Sequence, residues 1–266
     1  MHMSMVNADQ LPAAEPAFLT VTDLWRSFGG VQAVAGVSFA VPQHQIIGLI
    51  GPNGAGKSTV MNLIAGIEHP DRGSVFFDGA DISHAPPHQV AKRGLIRTFQ
   101  ISSEFARLTV LENLMMAVPH QRGATFWGAM RGRRFWSEDE KVNLERAQDL
   151  LERFHLSDLA DDYASDLSGG QKRILEIARS MMAEPKMLLL DEPFAGIAGP
   201  LARTVEEYLM ALRDEGVTMI MAEHELSVID RCSDSVVVMA LGKVIATGRM
   251  EDVRQNQEVI DAYLTA

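Results

Sequence analysis

The sequence has little cysteine and no long hydrophobic run. Cys232 is the only cysteine among 266 residues, so no intramolecular disulfide can form, which suits a reducing compartment. No stretch approaches the roughly 18 apolar residues of a membrane-spanning helix. The first 16 residues lack the basic start and the apolar run of a signal peptide. We therefore expect any association with a membrane to occur through a partner protein.

Positive charge is also scarce. The chain carries 24 Lys and Arg against 35 Asp and Glu, for a formal net charge of −11. Because contacts with nucleic-acid phosphates need a basic face, this balance argues against a nucleic-acid partner. The chain is long enough to bury a sizeable core, as one large domain or as a domain with a lobe. Residues 1–17 show little periodicity, and we interpret them as a flexible tail.

One stretch fits the phosphate-loop pattern G-x-x-x-x-G-K-[ST]. It consists of Gly51, Pro52, Asn53, Gly54, Ala55, Gly56, Lys57, Ser58 and Thr59. The apolar run before it predicts a buried strand, and the apolar residues after it predict a helix. In that setting backbone N–H groups face an anion at the helix N-terminus, Lys57 reaches the outer phosphates and the Ser58 hydroxyl ligates Mg²⁺. The alternative is a chance glycine-rich turn before a helix.

Two further apolar runs lead to polar side chains. Residues 186–190 predict a strand that ends at Asp191 and Glu192, and residues 218–222 predict another that leads to His224. In nucleotide hydrolases an acid at a strand end holds Mg²⁺, which suits Asp191, and Glu192 is then the natural general base. His224 is placed to hydrogen-bond the terminal phosphate or to orient the attacking water. The alternatives are two exposed acids at a turn and an ordinary structural histidine.

Three patterns each leave two interpretations open. Phe28, which we place in a turn after a strand that begins at residues 18–24, either stacks on an adenine ring or belongs to the core. Gln100, at the end of a predicted strand, either offers its amide oxygen to Mg²⁺ and the attacking water or is a solvated loop residue. A polar run before a predicted helix is either a second phosphate-binding surface or a plain N-cap. It consists of Ser168, Gly169, Gly170 and Gln171.

Residues 101–175 differ in character and predict a helical lobe inserted into an α/β core. Apolar residues at helical spacing are clearest between Asn143 and Phe154. Between the predicted helices, residues 126–136 interleave basic and aromatic side chains. That segment is a hairpin facing a partner or a membrane surface, a packed surface loop, or a surface for single-stranded nucleic acid, which the net charge disfavours.

Taken together, these motifs resemble the nucleotide-binding subunit of ATP-binding-cassette transporters, over nearly the whole chain from Phe18 to Ala266. The most specific mark is Leu-Ser-Gly-Gly-Gln at residues 167–171. The resemblance implies an α/β fold: a P-loop NTPase core with a mixed, RecA-like sheet, an antiparallel β subdomain and an inserted helical subdomain. The core then spans residues 18–100 and 176–266, and the helical lobe spans residues 101–175.

The resemblance also implies ligands and site roles. The ligands are ATP and Mg²⁺, and the residues of the phosphate loop and of the 168–171 motif bind the nucleotide. The resemblance implies catalytic roles for Glu192, His224 and Gln100. It implies that Ser58, Gln100 and Asp191 bind the metal and that Phe28 stacks on adenine. Because the 168–171 motif of one subunit covers the nucleotide held by the other, a second ATPase subunit, identical or homologous, completes each site.

Several features are similar to the ATPases of branched-chain amino-acid importers. They are the run Phe-Gly-Gly-Val-Gln-Ala-Val at 28–34, the Arg-Thr-Phe-Gln run at 97–100, the 126–136 insertion and the tail at 259–264. This similarity implies import of hydrophobic amino acids or related small solutes through separate permease subunits. A periplasmic or extracellular solute-binding protein is then an indirect partner, and the chain lies peripherally on the cytoplasmic face of the cell membrane. The alternatives are a lipopolysaccharide-type export ATPase and a soluble cassette ATPase without a transport role.

One position departs from the family pattern. The loop after Asp191-Glu192-Pro193 usually carries an acid that crosses the dimer interface, and by count that position is Ala198. A methyl group accepts no hydrogen bond there, so we expect weak coupling between the two ATP sites. Ala198→Asp is therefore expected to change the ATPase rate and its cooperativity in ATP. Unchanged steady-state kinetics would contradict this expectation.

Overall fold

Ten strands lie in the described part of the chain, which in this computed structural model comprises residues 17–98, 106–119, 137–197 and 199–264. The strands are β1 (Leu19–Phe28), β2 (Val31–Val41), β3 (Ile46–Ile50), β4 (Arg72–Phe77), β5 (Ala80–Asp81), β6 (Leu95–Arg97), β7 (Met187–Asp191), β8 (Thr218–Ala222), β9 (Ser235–Ala240) and β10 (Lys243–Gly248). They form one six-stranded sheet and one four-stranded sheet.

The same residues contain nine α-helices. They are α1 (Lys57–Ile64), α2 (Pro87–Lys92), α3 (Val110–Met116), α4 (Ser137–Arg153), α5 (Gly169–Met181), α6 (Pro200–Asp214), α7 (Leu226–Cys232), α8 (Met250–Val253) and α9 (Gln257–Leu264). None of these helices has the length and the apolar character needed to cross a membrane.

The larger sheet has six strands in the order β10-β9-β3-β8-β7-β6. Strand β3 runs parallel to β8 and β9, β7 runs parallel to β8 and β6, and β10 is antiparallel to β9. Every residue of β3, β7 and β8 is buried. One face of these strands packs in a core with α1 and strands β1, β2 and β4, and the other face packs in a core with helices α3 to α9. Burial of both faces explains why the sequences of these three strands are continuous apolar runs.

A four-stranded sheet in the order β2-β1-β4-β5 is antiparallel throughout and forms the predicted subsheet. One detail of the prediction is wrong. Strand β1 continues to Phe28, whereas the sequence placed residues 25–30 in a turn. Pairing with β2 continues to Phe28 opposite Val31, with register irregularities along the way, and the turn is confined to Gly29 and Gly30.

Helices α3, α4 and α5 lie between β6 and β7 in the chain and share one apolar core. That core includes Leu114 of α3, Leu150 and Leu151 of α4, and Leu175 of α5. The helix predicted around residues 143–154 is confirmed as the greater part of α4. The limits of the lobe and the extent of the N-terminal tail stay predictions, since parts of both lie outside the described residues.

The neighbouring pair Phe76 and Phe77 provides a test of the packing on β4. Phe77 is fully buried and meets Phe18 edge to face at 4.8 Å between ring centroids, whereas Phe76 is 42% exposed. Phe77→Ala leaves a cavity, so we expect it to lower the free energy of unfolding in urea by about 3–5 kcal/mol. Phe76→Ala is the matched control and should cost less than about 1 kcal/mol. Equal losses would contradict this packing.

Candidate functional site

Three neighbouring strands of the larger sheet end at the same edge. Strand β3 leads into the phosphate loop (residues 51–59), β7 ends at Asp191, and β8 is followed by Glu223 and His224. The strands lie in the order β3-β8-β7 and run parallel. Ligands of open α/β sheets bind outside the carboxyl ends of such strands. The phosphate loop, Asp191 and the Glu223–His224 segment therefore lie at one edge of the sheet.

Two glycines of the phosphate loop have backbone geometry that a side chain would prevent. Gly51 has φ 149°, and a Cβ there would lie 2.1 Å from the carbonyl oxygen of Met239. Gly56 has φ 99°, and its Cβ would lie 2.5 Å from the carbonyl oxygen of Ala33. Both atoms are backbone and cannot turn aside. The loop therefore packs closely on β2 and β9.

Lys57, the first residue of α1, is buried, with 8% of its surface exposed. Its Nζ donates to the carbonyl oxygens of Gly51 at 2.7 Å and of Pro52 at 3.1 Å, so the ammonium curls back over the loop. Burial lowers the pKa of Lys57, and the nearby charges of Glu192 and Asp191 act against that shift. The ammonium and the two carboxylates thus share one electrostatic site.

Asp191 ends β7 and is held by an arginine. Arg97 Nη2 donates to Asp191 Oδ2 at 2.8 Å, and both side chains are about nine-tenths buried. Arg97 also donates through Nη1 to the side chain of Asn62 on α1. The arginine therefore joins β6, β7 and the helix that follows the phosphate loop.

Glu192 has a left-handed backbone, with φ 49°, which is rare outside glycine. Such a conformation costs on the order of 1–3 kcal/mol and persists only where the surroundings impose it. Its N–H donates to the carbonyl oxygen of Ala222 at 2.9 Å. Its own carbonyl oxygen accepts from Arg173 Nη2 on α5 at 3.0 Å. Backbone strain at a charged, partly exposed residue is typical of a functional position.

His224 contacts the Glu192 side chain directly. Its Nε2 lies 2.6 Å from Glu192 Oε1, and the two side chains are 46% and 33% exposed. The contact joins the residue after β7 to the segment after β8. The pair is therefore partly open to solvent.

The predicted N-cap of α5 is present. Ser168 Oγ accepts from the N–H of Gln171 at 3.3 Å, and Gln171 Oε1 accepts from the N–H of Ser168 at 2.8 Å, which together form a capping box. Gly169 is exposed, with open space where a Cβ would stand. A Cβ on Gly170 would lie 2.3 Å from Leu201 Cδ2 of α6. The cap therefore explains Ser168 and Gln171, and close helix packing explains Gly170.

Phe28 ends β1 and is 42% exposed, which excludes the interpretation as a core residue. The guanidinium of Arg26 lies over its ring at 4.8 Å from the centroid. Arg26 is fixed in turn by Glu68 and Asp71. One face of the ring is thus covered by a cation, and a base that stacked on Phe28 would use the other face.

Three predicted features lie outside the described residues: Gln100, Ala198 and the 126–136 insertion. Their assignments stay predictions. Sequence reasoning gave no role to Arg97, Arg173 or Glu223, which hold the site residues in place. The sequence pointed to these residues only through their positions in or beside recognised motifs. Arg97 begins the 97–100 run, Arg173 lies two residues after the 168–171 motif, and Glu223 precedes His224.

The donor set fits Mg²⁺ that is held together with a phosphate ligand. No cluster of three or more His, Cys, Asp or Glu side chains is suited to a metal within the described ranges. Mg²⁺ with a nucleotide needs no such cluster, because one or two protein oxygens, waters and phosphate oxygens complete its shell. The Asp191 carboxylate and the exposed Ser58 hydroxyl are oxygen ligands of this kind.

Comparisons with known proteins agree with the site. A family model described as ABC transporter matches residues 34–195, and one described as branched-chain amino acid ATP-binding cassette transporter matches residues 243–264. The chain is 40% identical over 248 residues to the probable branched-chain amino acid transport ATP-binding protein LivG of Archaeoglobus fulgidus, covering 93% of this chain and 95% of that protein. It is 37% identical over 249 residues to the lipopolysaccharide export system ATP-binding protein LptB of Haemophilus influenzae, covering 93% and 97%.

A solved structure shows the same fold. The crystal structure of the ADP conformation of MJ1267, an ATP-binding cassette of an ABC transporter, has a TM-score of 0.81 and 33% sequence identity, and covers 95% of this chain and 100% of its own. The P-loop NTPase fold predicted from the sequence is therefore confirmed. Site geometry, family model and relatives agree, and the chain belongs to the ABC transporter family as one of its ATPase cassettes.

Proposed function

We propose that this chain is the ATP-hydrolysing subunit of an importer for branched-chain or other hydrophobic amino acids, or for related small solutes. The contact between His224 and Glu192 at 2.6 Å, beside the buried Lys57, carries the proposal of hydrolysis. The match of residues 243–264 to the branched-chain family model supports the class of solute. Separate membrane permeases supply the path, and a solute-binding protein acts as an indirect partner. The chain then lies peripherally on the cytoplasmic face of the cell membrane.

Binding of ATP engages the phosphate loop first. The loop N–H groups at the start of α1 donate to phosphate oxygens, and the Lys57 ammonium exchanges the carbonyl oxygens of Gly51 and Pro52 for phosphate oxygens. Phe28 stacks on adenine with its uncovered face. Ser58 and Asp191 would hold Mg²⁺, assisted by Gln100. The metal, when bound, neutralises charge on the phosphates.

Glu192 takes the proton of the attacking water. Its Oε1 is close enough to His224 Nε2 for a hydrogen bond, which fixes the direction of the carboxylate. The strained backbone of Glu192 places the side chain at the solvent-open edge of the sheet instead of in the core. His224 then has a second role in contacting the terminal phosphate.

A second ATPase subunit completes each site. Ser168 and Gly169 are exposed at the N-terminus of the 13-residue helix α5, where N–H groups and the helix dipole favour an anion. In the dimer, residues 168–171 of one subunit cover the nucleotide on the phosphate loop of the other. The second subunit is a copy of this chain or a homologous ATPase.

Export of a lipopolysaccharide-type substrate is the second candidate function. The 37% identity to LptB of Haemophilus influenzae favours it, since this value is close to the 40% for LivG. The ATP chemistry is the same in both cases, so only the membrane partners and the cargo distinguish them.

Two substitutions separate nucleotide binding from hydrolysis. Lys57→Ala removes the charge that meets the phosphates, so ATP affinity should fall at least about ten-fold. Glu192→Gln removes the base alone, so ATP affinity should persist while hydrolysis falls about 100-fold or more and an ATP-bound dimer accumulates. Fluorescent-nucleotide titration, phosphate release and gel filtration measure these effects. Lys141→Ala, at an exposed lysine of α4, is the control. Normal hydrolysis by Glu192→Gln would remove Glu192 from its proposed role.

Uptake measurements distinguish the two transport functions. A strain that lacks this gene is expected to lose ATP-dependent uptake of radiolabelled leucine, isoleucine or valine, and the wild-type gene should restore it. Glu192→Gln should not restore uptake, although the protein should still co-purify with permease subunits from detergent-solubilised membranes. Unchanged uptake together with a defect in surface lipopolysaccharide would favour the export function.

A further inference from the structure

A buried carboxylate links the two segments that carry Glu192 and His224. Glu223 follows β8 and is only 5% exposed. Its Oε1 accepts from the N–H of Phe194 at 2.9 Å, and its Oε2 accepts from the N–H of His224 at 3.2 Å. One oxygen therefore holds the segment after β7, and the other holds the residue that contacts Glu192.

The arrangement is costly unless both hydrogen bonds are made. Burial raises the pKa of Glu223, and the N–H groups of Phe194 and His224 oppose that rise. A carboxylate is retained inside a protein when hydrogen bonds replace its water, and these two backbone donors do so here. A shorter or neutral side chain would leave at least one of the N–H groups without this partner.

Glu223 is the central one of three consecutive residues that hold the Glu192 segment. The carbonyl oxygen of Ala222 accepts from the N–H of Glu192, Glu223 accepts from the N–H of Phe194, and His224 meets the Glu192 carboxylate. The left-handed backbone at Glu192 lies between these attachments. The end of β8 thus imposes the strained conformation that directs the Glu192 side chain.

We propose that Glu223 is a positioning residue that sets the Glu192–His224 pair by tying the two segments together through its two oxygens. The inference rests on the proposed role of Glu192 as the base. Glu223 touches neither nucleotide nor water in this scheme. Its loss misdirects the base and leaves the phosphate loop unchanged, so hydrolysis suffers and nucleotide binding does not.

The test is Glu223→Gln, which keeps the shape but replaces one acceptor oxygen with an NH₂ group that faces a backbone N–H. The expected result is a fall in kcat of about ten-fold or more, with KM and the affinity for a fluorescent ATP analogue changed less than about two-fold. Glu258→Gln, at an exposed glutamate of α9, is the control and should retain wild-type kinetics. Should Glu223→Gln fail to fold, Glu223→Asp is held to the same criteria, since its carboxylate is one methylene shorter.

A double-mutant cycle separates positioning from general destabilisation. If Glu223 acts through the pair, adding Glu223→Gln to His224→Ala should lower kcat little further than His224→Ala alone. Fully additive losses, or a wild-type kcat for Glu223→Gln, would overturn the inference. Glu192→Gln measured in parallel identifies which idea fails. If that variant loses hydrolysis while Glu223→Gln keeps it, only the positioning role is wrong, whereas hydrolysis by both contradicts the proposed function.

Discussion

The parallel hydrogen bonding of β3, β8 and β7 is the constraint on which the rest of the structure depends. Because all three strands run in one direction, their carboxyl ends share an edge, and the segments that follow them converge there. Asp191 pairs with Ala222, and Ala222 pairs with Leu49, so the last residues of β7 and β8 are in register near the end of β3. A slip by one residue would turn every side chain of the shifted strand to the opposite face of the sheet. Backbone pairing thus sets which residues of β3, β8 and β7 lie side by side at the site.

Buried charge is concentrated at this edge. Four charged residues of the described chain are less than a tenth exposed: Lys57, Glu176, Asp191 and Glu223. Each has at least one charged or polar partner: Lys57 bonds loop carbonyls, Glu176 and Asp191 pair with arginines, and Glu223 accepts from backbone N–H groups. One oxygen of Glu176, Oε1, is buried without a hydrogen-bond partner. Burial raises the pKa of Glu176 and Glu223 and lowers the pKa of Lys57. These three groups lie in the same small region. Perturbed groups gathered in this way are typical of catalytic sites.

The strands of this site could be predicted from the sequence because each is a continuous apolar run. The ATPase chemistry could be predicted because the spacing of the phosphate loop and the acids at strand ends follow known physical patterns. The end of β1 was misplaced because antiparallel pairing with β2, which no local pattern reports, extends the strand to Phe28. Arg97 and Glu223 received no role for a related reason. Their partners Asp191 and Phe194 lie 94 and 29 residues away in the chain, and only the order of strands brings them together.

Lys57 and Asp191 have protein partners in the absence of a ligand. Both charges already have protein partners: loop carbonyls for the ammonium and Arg97 for the carboxylate. In the proposed function, a triphosphate with its metal exchanges these two contacts for its own and adds hydrogen bonds from the loop N–H groups. Such exchange makes the net gain from these two contacts modest. Arg97 lies on β6, three residues before Gln100 in the sequence. The contacts of Arg97 with Asn62 and Asp191 therefore link the helix after the phosphate loop to the end of β7 and to β6.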